Sequence, residues 1–94
     1  MISLFDYSID PKLIIILQKL HKKDKDKYFQ VKNKIKEIIL NDLNTIDNYK
    51  NLKQPLSKYK RVHIGKNFVL LFSVFKSKNY IFFYKFDHRD NIYK

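Results

Sequence analysis

The sequence predicts an α+β domain, a small twisted antiparallel β-sheet with two N-terminal helices packed on one face. Three observations predict it. Apolar residues recur at helical spacing in two stretches before residue 40, three runs after residue 58 have strand character, and the segments between those runs have hairpin length. A chain of 94 residues is enough for one domain with a real core, near the small end for building one unaided. Its 45% hydrophobic and 16% aromatic content argues for a packed interior despite the heavy charge.

Ile2, Leu4 and Asp6 alternate with Ser3, Phe5 and Tyr7, which reads as a short first strand. Ser8 or Asp10 can cap a helix whose first turn holds Pro11, where the missing N–H costs least. Leu13, Ile16, Leu17 and Leu20 give that helix, over about residues 10–22, an apolar stripe. The charged segment 21–27 supplies capping aspartates and turns the chain into a second helix, whose stripe is Tyr28, Val31, Ile35, Ile38 and Ile39. Lys32, Lys34 and Lys36 read as its solvated face. Residues 44–58 break the pattern and form a connecting loop, with Leu52 and Leu56 expected to pin it to the core around Pro55.

The strands are expected at 59–65, 68–75 and 80–87. Gly65 is the sole glycine and falls in the first hairpin turn, where a positive φ is needed. In the first of these strands, period-two alternation sends Val62 and Ile64 to one face and Tyr59, Arg61 and His63 to the other. The phenylalanines at 68, 72, 75, 82, 83 and 86 are expected in the core.

Composition also bounds function. Without cysteine there is neither a disulfide framework nor a thiolate metal site, and the three histidines and scattered carboxylates show no ligand spacing, so no metal or other cofactor is expected. The first seven residues lack a signal-peptide pattern, and the longest apolar run, 13–17, is too short to cross a membrane, which suggests a cytoplasmic protein. The net charge of +11 is unevenly spread. Residues 1–47 hold nine lysines against seven acids, whereas residues 48–94 hold nine lysines and two arginines against two acids. Such a field attracts polyphosphates, anionic membranes or acidic proteins. Lysine makes up 18 of the 20 cations, so the two arginines, Arg61 and Arg89, stand out as candidates for a two-point grip on a phosphate.

Several cues occur in a fixed order: Leu52 with Pro55-Leu56, then Arg61-x-His63-Ile64-Gly65, then an aromatic hairpin, then His88-Arg89-x-x-Ile92-Tyr93. Together they resemble the RelE/ParE superfamily of bacterial and archaeal toxins, over essentially the whole chain. The resemblance implies a RelE-like, microbial-RNase-like fold. It also implies a type II toxin that enters the ribosomal A site and cuts mRNA there by metal-free attack of a ribose 2′-hydroxyl, and that a cognate RelB-type antitoxin neutralises. Carried over by position, the catalytic residues are Arg61, His63, Arg89 and Tyr93. Lys60, Lys66, Lys85 and His88 are the expected RNA contacts. One position departs from the pattern: the strand after the glycine turn begins Phe68-Val69, with valine where active members often carry arginine. That keeps open a ParE-like gyrase inhibitor, and the aromatics among lysines keep open a non-catalytic nucleic-acid-binding module.

Overall fold

Two tight hairpins set the sheet. In this computed structural model, which describes residues 5–93, β2 (Lys60–Ile64), β3 (Phe68–Phe75) and β4 (Tyr80–His88) form an antiparallel meander. Gly65 sits at φ +65° in the first turn, a conformation glycine reaches without a Cβ penalty. Asn79 closes the second turn at φ 49°, in the left-handed region that asparagine tolerates. Both β3 and β4 begin where the apolar runs begin. β4 extends to His88, one residue past the expected end, and Arg89 opens a short helix.

The first strand, β1 (Asp6–Ile9), pairs with β4 in parallel, which makes the four-stranded sheet mixed, in the order β1-β4-β3-β2. Two hairpins reverse the chain twice, so β4 runs in the sense of β2, and the edge strand beside it is free to be parallel. The part of the expected strand at residues 1–4 lies outside the described residues.

Helices α1 (Pro11–Lys23) and α2 (Lys25–Ile39) are separated by one residue. Asp10 caps α1 by accepting from the Lys12 N–H at 2.8 Å, directly before Pro11. Asp24 serves both helices: its N–H donates to the Leu20 carbonyl at 2.8 Å, and its carboxylate accepts from the Lys27 N–H at 3.1 Å. Leu13, Val31, Ile35, Ile38 and Ile39 are buried against Ile64, Leu70, Phe72, Ile81, Phe83 and Phe86 of the sheet. Leu17 and Leu20 are packed on the rim of that core. Ile16 is 42% exposed and is not part of the stripe. At about 100° per residue it lies roughly 60° off the line from Leu13, on the side away from Leu17.

The other face of the sheet carries a smaller cluster, in which Leu52, Val69 and Leu71 are buried and Tyr59, Tyr84 and Ile92 pack around them. Leu52 therefore pins the loop as expected, while Leu56 stays 37% exposed. Phe75, at the far end of β3 on this second face, is 46% exposed and lies outside both clusters. The register shifts between Leu71 and Phe72. Lys85 faces the first and Phe83 the second, so Tyr84 is an extra residue in β4, a bulge that bends the strand under this second cluster. Among the described residues, no helix is long and apolar enough to cross a membrane.

The sheet core beneath α1 and the outer side of α1 separate cleanly in stability. Replacing Phe83, which is fully buried, with alanine is expected to cost about 3–5 kcal/mol in urea unfolding. Ile16→Ala is expected to stay within about 0.5 kcal/mol of the parent. Equal losses from both would show that α1 is rotated relative to this packing.

Candidate active site

Ile64 and Val62 are drawn into the helix-side core, so the intervening residues of β2 must face the other way. Arg61 and His63 thereby stand side by side on the face that carries Leu52, Val69 and Leu71. A guanidinium nitrogen of Arg61 lies 3.1 Å from His63 Nε2. Guanidinium only donates, so Nε2 is the acceptor in this contact and the ring proton belongs on Nδ1. The Arg61 guanidinium carbon also lies 5.9 Å from the centre of the Tyr93 ring, within cation–π range.

These three side chains line a cleft of about 630 Å³, whose remaining lining is Ile92 and the 51–56 segment. The segment is tied to the same strand. Leu52 N–H donates to the Tyr59 carbonyl at 2.9 Å, Tyr59 N–H to Leu56 at 3.0 Å, and Arg61 N–H to Lys50 at 2.9 Å. The opposite end is held by α3 (Arg89–Ile92), whose first N–H donates to the Asn67 carbonyl at 2.7 Å, across the first hairpin turn. Tyr93 follows one turn later, its N–H on the Arg89 carbonyl at 3.0 Å.

The structure thus brings together Arg61, His63 and Tyr93. Arg89 does not line the cleft: it opens α3 with its side chain 55% exposed, its Nε 3.9 Å from Asp90. Lys60 alternates onto the helix side, where its Nζ donates to the Tyr49 carbonyl at 2.9 Å and to Asn51 Oδ1 at 3.0 Å. Burial there pushes the Lys60 ammonium below its ordinary pKa, with Asp47 opposing the effect. His88 is also on the helix side, edge-on to Phe68 at 5.6 Å, and its Nδ1 caps α3 by accepting from the Asp90 N–H at 3.2 Å. Lys66 is exposed in the first hairpin turn. Lys85 pairs with Leu71 and so lies on the cleft side of the sheet. Among the described residues, no three histidine, aspartate or glutamate side chains gather as metal ligands do.

Val69, the departure noted in the sequence, is fully buried and stands directly across the β2–β3 ladder from His63. A longer cation there would have emerged beside the imidazole. Two features escaped the sequence reading. One is the part that the 51–56 loop plays as a wall of the cleft, Gln54 included: Leu52, Pro55 and Leu56 were legible as anchors of the loop and not as lining of a site. The other is the face-to-face stack of Tyr59 on Tyr84 at 4.5 Å, with Lys58 Nζ over the Tyr59 ring at 5.2 Å.

No family model matches the chain. Its sequence is 46% identical over 91 residues to "Putative toxin RelE4" of Methanocaldococcus jannaschii, covering 97% of this chain and 93% of the relative. The chain belongs to the RelE toxin family. A second relative, an uncharacterized protein of Methanosarcina mazei, is 41% identical over 76 residues, covering 81% of this chain and 84% of its own length. Among solved structures, the crystal structure of YafQ from E. coli strain BL21(DE3) superposes with a TM-score of 0.66, over 96% of this chain and 99% of that one. At 18% identity that likeness is one of fold, and it matches the two helices on a four-stranded sheet.

In this RelE-family chain a carboxylate at the end of β4 fastens the short helix that precedes Tyr93. Asp87 Oδ1 accepts from the His88 N–H at 2.7 Å and from the Asn91 side-chain amide at 3.0 Å. The Asn91 amide is the main reason the carboxyl sits below its ordinary value of 3.8, with partial burial opposing and the His88 N–H, Lys85 and the His88 ring adding to it. A depressed carboxylate contributes its stability above the unfolded pKa of about 3.9, and loses it as pH falls through the folded value. In an NMR titration, the Asn91 side-chain amide and the Tyr93 backbone amide are expected to shift together with a midpoint below 3.8. They should stay flat in Asp87→Asn. A Tyr93 signal that titrates unchanged in that variant would show that the carboxylate does not hold α3.

Proposed function

We propose that this chain is, as a single domain, the toxin of a type II toxin–antitoxin pair and a ribosome-dependent endoribonuclease that cuts mRNA in the A site. The observation that carries the reading is the Arg61–His63 contact at 3.1 Å in a cleft with Tyr93, on the more basic half of the chain. The reaction is attack of a ribose 2′-oxygen on the adjacent phosphorus, with release of the 5′-oxygen and a 2′,3′-cyclic phosphate left behind. It needs a base, cations around the phosphate and a proton for the leaving oxygen, and it asks for no metal.

When a phosphate draws Arg61 away from the ring, His63 Nε2 is left as an open lone pair facing the cleft, placed to take the 2′-hydroxyl proton. Arg61 then donates to the non-bridging oxygens, where charge grows in the transition state. Arg89, exposed at the start of α3, turns toward the cleft when RNA is bound and acts as a second cation, Tyr93 offers its ring to a base, and water protonates the departing oxygen. Lys66 and Lys85 neutralise phosphates along the cleft side, whereas Lys60 and His88 act structurally on the other face. The antitoxin is RelB-type, acidic where it meets this surface, and the site of action is the cytoplasm.

One observation favours a second reading. Val69 opposite His63 leaves the site one cation short of the family pattern, as expected of a ParE-like gyrase inhibitor that kept the fold and not the cutting. The test adds the folded chain to ribosomes halted on a defined mRNA and maps new 5′ ends, with naked mRNA and a gyrase supercoiling reaction alongside. Cuts are expected at the A-site codon only when ribosomes are present. His63→Ala should lower the rate by about 10²- to 10⁴-fold, and Arg61→Ala or Arg89→Ala by about 10²- to 10³-fold, with circular dichroism unchanged. Intact mRNA beside failing supercoiling would replace this reading with the gyrase one.

A further inference from the structure

The cleft has two unlike walls. One is ionic, Arg61 with His63, and the other is apolar, made by Leu52, Pro55, Leu56 and Ile92. No aspartate or glutamate lines either of them, and Lys53 adds a further cation at the rim. A nucleotide divides in the same way, into an anionic phosphate and a flat base with apolar faces and a polar edge.

The loop that forms the apolar wall is held before any ligand arrives. Its Asn51 side chain is engaged at both ends, the amide donating to the Ser57 carbonyl at 2.8 Å and the oxygen accepting from Lys60 Nζ at 3.0 Å. Leu56 N–H donates to the Lys53 carbonyl at 3.0 Å and closes a turn around Gln54 and Pro55. Within that turn the Gln54 amide lines the cleft and has no hydrogen-bond partner among the described residues. An amide carries a donor and an acceptor side by side, which matches the paired groups on the edge of a base.

We propose that the 51–56 loop is a nucleobase slot: a base of single-stranded RNA lies against Leu52, Pro55, Leu56 and Ile92, and Gln54 hydrogen-bonds to its edge. The slot rests on the nuclease reading for its biological substrate and deepens it, making Gln54 a residue that selects the base beside the phosphate held at Arg61. Pinning the loop to β2 fixes the distance between the two walls, so the base that fits is one attached to the gripped phosphate.

The test uses the full chain and an RNA hexanucleotide that is 2′-O-methylated throughout, so that no 2′-hydroxyl can attack. A second hexanucleotide has the same backbone with every base removed. Gln54 is exposed, and Gln54→Ala is expected to fold as the parent does. The variant should bind the intact hexanucleotide about five- to tenfold more weakly and the abasic one with unchanged affinity. The Gln54 side-chain amide signal of ¹⁵N-labelled parent should move with the first ligand and not with the second. Leu56→Asn provides an independent variant with the same expected split. Equal weakening for both ligands, or for neither, would overturn the slot. Because no cleavage is read, a chain that passes this test yet leaves ribosomal mRNA uncut keeps the slot and loses the nuclease reading. A chain that cuts mRNA but fails it loses the slot alone.

Discussion

Everything at the site depends on the register between β2 and β3. Ile64 lies opposite Phe68 and Val62 opposite Leu70, and burial of these residues against α2 decides which way β2 is turned. A slip of one residue would exchange the two faces, placing Arg61 and His63 in the core and Val62 and Ile64 in water. Burying a guanidinium without a partner is costly enough that the alternative register has no competing population. The orientation of the cation and the imidazole is thus enforced from the opposite side of the sheet, by side chains that never approach the cleft.

The remaining walls are fastened to that same strand. The 51–56 loop hydrogen-bonds to the backbone of Tyr59, Lys50 just before it accepts from the Arg61 N–H, and α3 attaches to Asn67 in the adjoining turn. The site is therefore assembled from short, local attachments around one hairpin, with the helices serving mainly as the lid on the other face. This arrangement suits a protein with a small core. The groups that must be placed accurately sit on a strand bonded to β3 on one side and to the 50–52 segment on the other, and the lysine-covered helix surfaces can vary without disturbing them.

Local signals were the legible ones. Asp10 and Asp24 as caps, Gly65 as the turn residue, the bounds of β3 and the outward turn of Arg61 and His63 all follow from interactions within a few residues. What depended on the third dimension was not legible. The anchoring of Lys60 to the Tyr49 carbonyl joins residues eleven apart, and only its charge, not that contact, could be read from the chain. The sequence placed no element after residue 87 before the end of the chain, because nothing in His88-Arg89-Asp90-Asn91 announces a helix of four residues; the cap is the His88 ring itself. The parallel sense of β1 follows from chain topology, and the exposure of Leu56 and Phe75 from where the layers end, and neither leaves a trace in hydropathy. The RelE membership was legible through order and spacing because those cues sit on the hairpin and its flanks, where local constraint is strongest.

A joint of a single residue between α1 and α2 has a consequence for how this chain can change over time. Asp24 ends one helix and starts the next, so there is no slack to absorb an inserted or deleted residue. One residue more or less would turn α2 by about 100° about its own axis and carry Val31, Ile35 and Ile38 off the sheet together. Substitution is open along most of this helical pair, while its length is locked. Homologues can therefore be expected to differ freely in the lysines of these helices and to keep their spacing, with variation in length displaced to the stretch between α2 and β2.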